Sequence, residues 1–104
     1  MGRLEGRRDF MARAIELLND IRIRKLARAG RYPDGDGLYL QVTKSGGKSW
    51  LYRYKRKGKD YWKGLGTYAH NKTTLALARE RATECRRLRG EGIDPIQHFK
   101  NLDR

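Results

Sequence analysis

Acidic residues are scarce in this sequence: 12 Asp and Glu stand against 25 Lys and Arg, a formal net charge of +13 over 104 residues. A chain so short of acid repels itself on folding and suits a polyanionic partner: nucleic acid, an anionic membrane or an acidic protein. Long apolar runs are also missing. No stretch approaches the roughly 20 residues that cross a bilayer, so a membrane ranks lowest. The opening MGRLEGRRDF lacks the apolar centre of a signal peptide and reads as a leader, with Met11 as a second candidate start. A lone cysteine, Cys85, excludes an internal disulfide and fits a reducing, cytosolic setting. The two histidines, His70 and His98, have no carboxylate or cysteine at metal-ligand spacing, and no strand–glycine loop–helix phosphate cradle occurs. Catalysis, a metal, a cofactor and a small-molecule substrate are therefore not expected.

What is present fits one domain with a modest core, hydrophobic residues making up 38% of the chain. After a first periodic segment, Ala12 to Leu18, the stretch NDIRIRKLARAG predicts a helix of about two turns. Asn19 is its cap, Asp20 sits in its first turn, Ile21, Ile23 and Leu26 form its apolar side, and Gly30 marks its end. The run Pro33 to Gly37 (PDGDG) is turn chemistry, and it lacks the third ligand and closing Glu of a calcium loop. Leu38 to Thr43 and Ser49 to Lys55 then alternate as strands, joined by the loop KSGGK. A third strand, near Tyr61 to Leu65, follows a turn around Gly58. Thr73 or Thr74 caps a last helix whose Leu75, Ala78, Ala82, Cys85 and Leu88 form one apolar stripe, with Gly90 at its C′ position. Beyond GIDPI, the tail QHFKNLDR shows no pattern. The pieces predict an α+β fold: a three-stranded antiparallel sheet packed on one face by a C-terminal helix, with a short N-terminal helix.

Strand phase divides the side chains between two faces. Trp50, Tyr52 and Tyr54 join Leu38, Leu40 and Val42 on the inward face, while Gln41, Thr43, Arg53 and Lys55 point outward. In the third strand, alternation exposes Trp62 and turns Lys63 inward with Leu65, and a bulge would reverse this. From Lys44 to Lys63 there are eight cations (Lys44, Lys48, Arg53, Lys55, Arg56, Lys57, Lys59 and Lys63) and one acid, Asp60. A cationic hairpin discourages edge pairing, but that does not explain cations sharing a face with Gln41 and Thr43. Cations for phosphates beside Gln, Thr and Arg for base edges fit a sheet laid into a duplex groove. With most aromatics inward, duplex is favoured over single strands, although Tyr39 and Trp62 keep a single-stranded RNA reading open. The arginines of the last helix read as a solvated face with Glu80 and Glu84 as neighbours.

In order along the chain come D-G-x-G-L-Y-L (34–40), K-S-W-x-Y-R-Y (48–54), L-G-x-Y (65–68), the A-R helix and G-I-D-P (92–95). From about Asn19 to Ile96 this resembles the N-terminal arm-type DNA-binding domain of phage and prophage tyrosine recombinases, the integrases. HNKT (70–73) departs from the proline more usual there and leaves the helix start open by a few residues. The resemblance implies a sheet that enters a groove of arm-type sites, with Gln41, Thr43, Arg53 and Lys55 as groove contacts. Lys44, Arg56, Lys57 and Lys59 would contact phosphates, and Lys48 and Trp62 complete the candidate set. It further implies residues 1–18 as a partly flexible leader, 19–96 as the DNA-binding domain, and 97–104 as a tail toward core-binding and catalytic domains carried elsewhere. None of the six tyrosines is assigned as a nucleophile. The expected partners are double-stranded DNA and the remaining integrase domains or subunits, in the bacterial cytoplasm and at the nucleoid. A protein-interaction module is the rival from another class.

Overall fold

The computed structural model describes residues 15–69 and 72–102. Most of the expected leader, Met11 with it, and His70 lie outside the described residues. The elements in order are α1 (Asp20–Lys25), β1 (Gly30–Gly35), β2 (Leu38–Val42), β3 (Lys48–Arg56), β4 (Lys59–Thr67), α2 (Leu75–Gly90) and α3 (Pro95–Leu102). The strands form one antiparallel sheet in the order β1-β2-β3-β4.

The sheet therefore has four strands, correcting the expected three. The extra strand, β1, overlaps the run that reads as turn chemistry, sharing Pro33, Asp34 and Gly35 with it. It is an edge strand, where Pro33 removes no needed ladder donor. Asp36 and Gly37, at φ 52° and 91°, make the tight β1–β2 turn, and Lys57 and Gly58, at φ 53° and 79°, make the equivalent β3–β4 turn. In β1, Asp34 is the extra residue of a bulge between Pro33 and Gly35. The bulge turns its carboxylate inward, leaving the residue 3% exposed.

The inward face is as expected. Leu38, Leu40, Val42, Trp50, Tyr52, Tyr54 and Leu65 are buried there against the α2 stripe of Leu75, Ala78, Ala82, Cys85 and Leu88. Burial of each large apolar side chain contributes roughly 1.5–3 kcal/mol. Trp50 is wholly buried and its indole N–H donates to the Thr73 carbonyl at 2.8 Å. β4 does carry a bulge, but at Leu65, between the pairs Leu51–Gly64 and Trp50–Gly66. It falls after Trp62, so Trp62 stays opposite Arg53 on the outward face and Lys63 opposite Tyr52 on the inward one.

The helix ends show where local signals were misplaced. Asn19 caps α1, accepting from the Arg22 N–H at 2.9 Å, but the helix ends at Lys25, well before Gly30. Ile23 is buried and Leu26 partly so, whereas Ile21 is exposed, because six residues present only one apolar turn to the core. Thr74, not Thr73, caps α2, accepting from the Leu77 N–H. Its C′ residue is Gly92 at φ 79°, not Gly90: the Ile93 N–H reaches the Leu88 carbonyl and the Gly92 N–H the Arg89 carbonyl. The tail read as patternless forms α3, whose Ile96 and Phe99 pack against the core. Leu18, ahead of α1, is buried in the same core.

Candidate nucleic-acid interface

The outward face is built by alternation. Arg31 lies opposite Gln41 and Gln41 opposite Ser49; Pro33 lies opposite Tyr39 and Tyr39 opposite Leu51; Arg53 faces Trp62 and Lys55 faces Asp60. All of these are half-buried or exposed. Within this face the polar groups are already organised. The Arg31 Nε–H donates to Gln41 Oε1 at 3.0 Å, and its guanidinium lies 4.1 Å from the centre of the Trp62 ring. Arg31 is on one edge strand and Trp62 on the other, so the two side chains together reach across β2 and β3, strands spaced about 4.8 Å apart. Tyr39 meets the Trp62 ring edge-on at 5.1 Å. Arg53 donates to the Tyr39 hydroxyl at 3.4 Å and to both Asp60 carboxylate oxygens at 3.2 Å. Those hydrogen bonds, Tyr39's first and then Asp60's, raise the Arg53 guanidinium above its ordinary value, and it stays charged.

The remaining candidates divide into groups. Arg56, Lys57 and Lys59 are exposed together at the β3–β4 turn. Arg56 is also 3.5 Å from Asp94, ahead of α3. Lys44, in the β2–β3 loop, lies at the opposite end of the sheet; the nine residues of β3 separate the ends by about 27 Å at 3.3 Å per residue. Thr43 is exposed just past the end of β2, and its hydroxyl accepts from the Gly47 N–H at 3.0 Å and pairs with Ser45, building the loop. Lys48 is opposite Val42, on the inward side, where its ammonium donates to the Arg24 carbonyl at the end of α1, at 3.3 Å. The structure thus brings Gln41, Arg53, Lys55 and Trp62 together and leaves Lys48 apart from them.

Two outward residues escape the sequence reading. Arg31 was missed along with β1, although Asp36-Gly37 is a strong hairpin signal whose first strand must contain it. Asp60 was noted only as the single acid in a basic stretch, and its partner depended on the β3–β4 register. The arginines of α2, by contrast, are engaged within the fold. Arg79 holds Asp34, Arg81 donates to the Leu65 carbonyl, Arg86 to the Asp36 carbonyl and Arg89 to the Lys55 carbonyl. Only Arg87, paired with Glu84 and Glu91 along the helix, matches the solvated face expected.

Among the described residues, no three His, Cys, Asp or Glu gather as metal ligands, and no helix is long and apolar enough to cross a membrane. Burial pushes the Cys85 thiol up to about 11, as expected of a packed rather than a reactive cysteine.

A family model described as the arm DNA-binding domain matches residues 18–101. The chain is 43% identical over 70 residues to the integrase of Shigella phage Sf6 and to prophage integrase IntS of Escherichia coli (strain K12), a match covering 67% of this chain and 18% of each relative. It is 39% identical over 62 residues to the integrase of Enterobacteria phage P4, covering 60% of this chain and 14% of that protein. Less than a fifth of each of these relatives lies within the match. Its relatives are phage and prophage integrases, and the chain belongs to the arm DNA-binding domain family.

Proposed function

We propose that this chain binds double-stranded DNA through the outward face of its sheet and tethers an integrase to arm-type sites during site-specific recombination. The observation that carries the reading is the separation of roles: α2 covers one face, and the opposite face presents Arg31, Gln41, Arg53 and Lys55 beside the cationic β3–β4 turn. On this reading Gln41, Arg53 and Lys55 reach into a groove while Arg56, Lys57 and Lys59 meet phosphates, with Lys44 touching backbone at the far end. Thr43 and Lys48 serve the loop and the end of α1 in the free domain and are the weaker contacts. The DNA-binding unit is residues 19–96, with Leu18 and Phe99 extending its packing on either side. Strand exchange belongs to core-binding and catalytic domains, and this unit performs no catalysis alone. The parent works in the bacterial cytoplasm, at the nucleoid.

The test is duplex binding at two salt concentrations. Four phosphate contacts would give a slope of log K against log salt of roughly −3 to −4. Arg53→Ala with Lys55→Ala should weaken binding at least tenfold; unchanged affinity would refute the groove-facing assignment. The outward pair Tyr39–Trp62 favours a second reading, single-stranded RNA. It predicts that single-stranded RNA outcompetes duplex and that Trp62→Ala abolishes the preference.

A further inference from the structure

On an open cationic face made only to grip phosphates, a carboxylate is out of place. Asp60 is nonetheless on that face, its side chain 42% exposed and hydrogen-bonded to Arg53. The register places it: Lys55 pairs with Asp60 and Arg53 with Trp62, so Arg53 reaches diagonally to the acid while Tyr39, one strand over, takes its other end. An arginine held at both ends has lost its rotamer freedom on folding and brings a fixed fork to a ligand. The Tyr39 bond comes from Nη1 and both Asp60 bonds come from Nη2; with one Nη2–H shared between the two carboxylate oxygens, Nε–H and the second Nη2–H remain as the parallel pair that a guanine edge requires at O6 and N7. The exposed carboxylate repels phosphate but accepts from the amino group of cytosine. The pair has the donor and acceptor order of a G·C step.

Building on the duplex reading above, we infer that Arg53 is a guanine-reading residue, that Asp60 and Tyr39 are its positioning residues, and that Asp60 exchanges overall affinity for base discrimination. The two effects have opposite signs in one variant. Asp60→Asn removes a negative charge from the face, so affinity for unrelated duplexes should rise severalfold and the salt slope should steepen or hold. The same change frees Arg53, so preference for guanine at one position should fall from roughly tenfold toward none. Arg53→Lys keeps the charge and loses the fork, and should lose the preference while changing the salt slope little.

The experiment is selection from a randomised 20-base-pair duplex pool by the intact chain, followed by affinity measurements on the enriched duplex and its guanine-substituted copies. Asp60→Asn and Arg53→Lys are tested alongside, with circular dichroism confirming the fold of each. An enriched guanine lost in both variants, with higher non-specific affinity in Asp60→Asn, is the expected result. A guanine preference that survives either variant, or a pool with no enriched guanine, overturns this inference. If Arg53→Ala with Lys55→Ala still weakens duplex binding in that case, the duplex reading itself stands; if that pair of changes has no effect, the duplex reading has failed first.

Discussion

The contact between Asp34 and Arg79 offers the sharpest test of how this domain holds together. Asp34 is displaced inward by the β1 bulge, and its side chain is 4% exposed. Its carboxylate accepts from Arg79 Nε and Nη2, both at 2.9 Å, and from the Leu18 N–H at 2.9 Å. Arg79 also donates to the Leu18 carbonyl at 3.1 Å, so one carboxylate joins the segment before α1, the edge strand and α2. Truncation as Asp34→Ala leaves the Leu18 N–H without its acceptor and the Arg79 guanidinium without its counter-charge, with only the Leu18 carbonyl still accepting from it. Breaking a buried ion pair costs about 3–5 kcal/mol, and Arg79, 32% exposed, recovers part of this by rehydration. A loss of about 3 kcal/mol is therefore expected, which for a domain of this size lowers Tm by roughly 12–24 °C. Urea unfolding followed by tryptophan fluorescence measures it. The double variant Asp34→Ala with Arg79→Ala should lose at least 1 kcal/mol less than the sum of the single changes. Additive losses, or a single loss below about 1 kcal/mol, would refute the linking role.

Three further outcomes follow from the geometry. Gly37→Ala should destabilise far more than Gly58→Ala in thermal melts, although both glycines have positive φ. A Cβ at Gly37 would stand 2.7 Å from the Tyr52 ring and 2.9 Å from the Arg53 carbonyl, whereas one at Gly58 meets nothing within 4 Å and carries only the left-handed strain of about 1–2 kcal/mol. Cys85 should resist a disulfide-exchange reagent at pH 8 in the native protein and react at once in urea. Because burial raises this thiol to about 11, the folded state keeps it protonated while the unfolded chain ionises from near 9. The stabilisation is thus complete below pH 9 and falls by about 2–3 kcal/mol as pH rises to 11, with Cys85→Ala flattening that decline. Tyr52 and Tyr54, pushed up chiefly by burial, add to the loss in the same direction above pH 10.

The sequence carried the inward face almost completely, because burial selects residue type at every second strand position and every third or fourth helix position. Trp50, Tyr52, Tyr54 and the α2 stripe are all where periodicity puts them. β1 is faint in its own residues for a physical reason, with only the Asp36-Gly37 turn to signal it: an edge strand with a proline and a bulge needs little strand propensity, and beyond its pairing with β2 it is held by Asp34 reaching Arg79, 45 residues away in the chain. The start of α3 was legible, with Asp94 ahead of Pro95 and its carboxylate accepting from the Ile96 N–H, but the contacts of Asp94 with Tyr54 and Arg56 that hold the helix in place come from distant elements. The outward face was half legible. Phase placed Gln41, Arg53, Lys55 and Trp62, but which of them touch, and that Asp60 sits among them, depended on register, which composition does not encode.

Charge looks uniform in the sequence, yet the fold sorts it into two populations. Along α2, arginines reach back to Asp34 and to the carbonyls of Leu65, Asp36 and Lys55, where a guanidinium stabilises strand ends and turns that would otherwise leave acceptors unpaired. These cations fasten the helix to the sheet. Lys55, by contrast, stays exposed on the far side of the same sheet, and Arg56, Lys57 and Lys59 are exposed at the β3–β4 turn, Arg56 beside Asp94. A +13 charge therefore overstates the phosphate grip, and a salt slope of roughly −3 to −4 rather than one approaching −10 is the signature of that division. Neutralising Arg81 or Arg86 should lower stability and leave the salt slope unchanged, while Lys57→Ala should make the slope shallower by about 1 and leave stability unchanged. Crossed effects, with a helix arginine setting the slope, would mean that DNA lies on the α2 side of the domain.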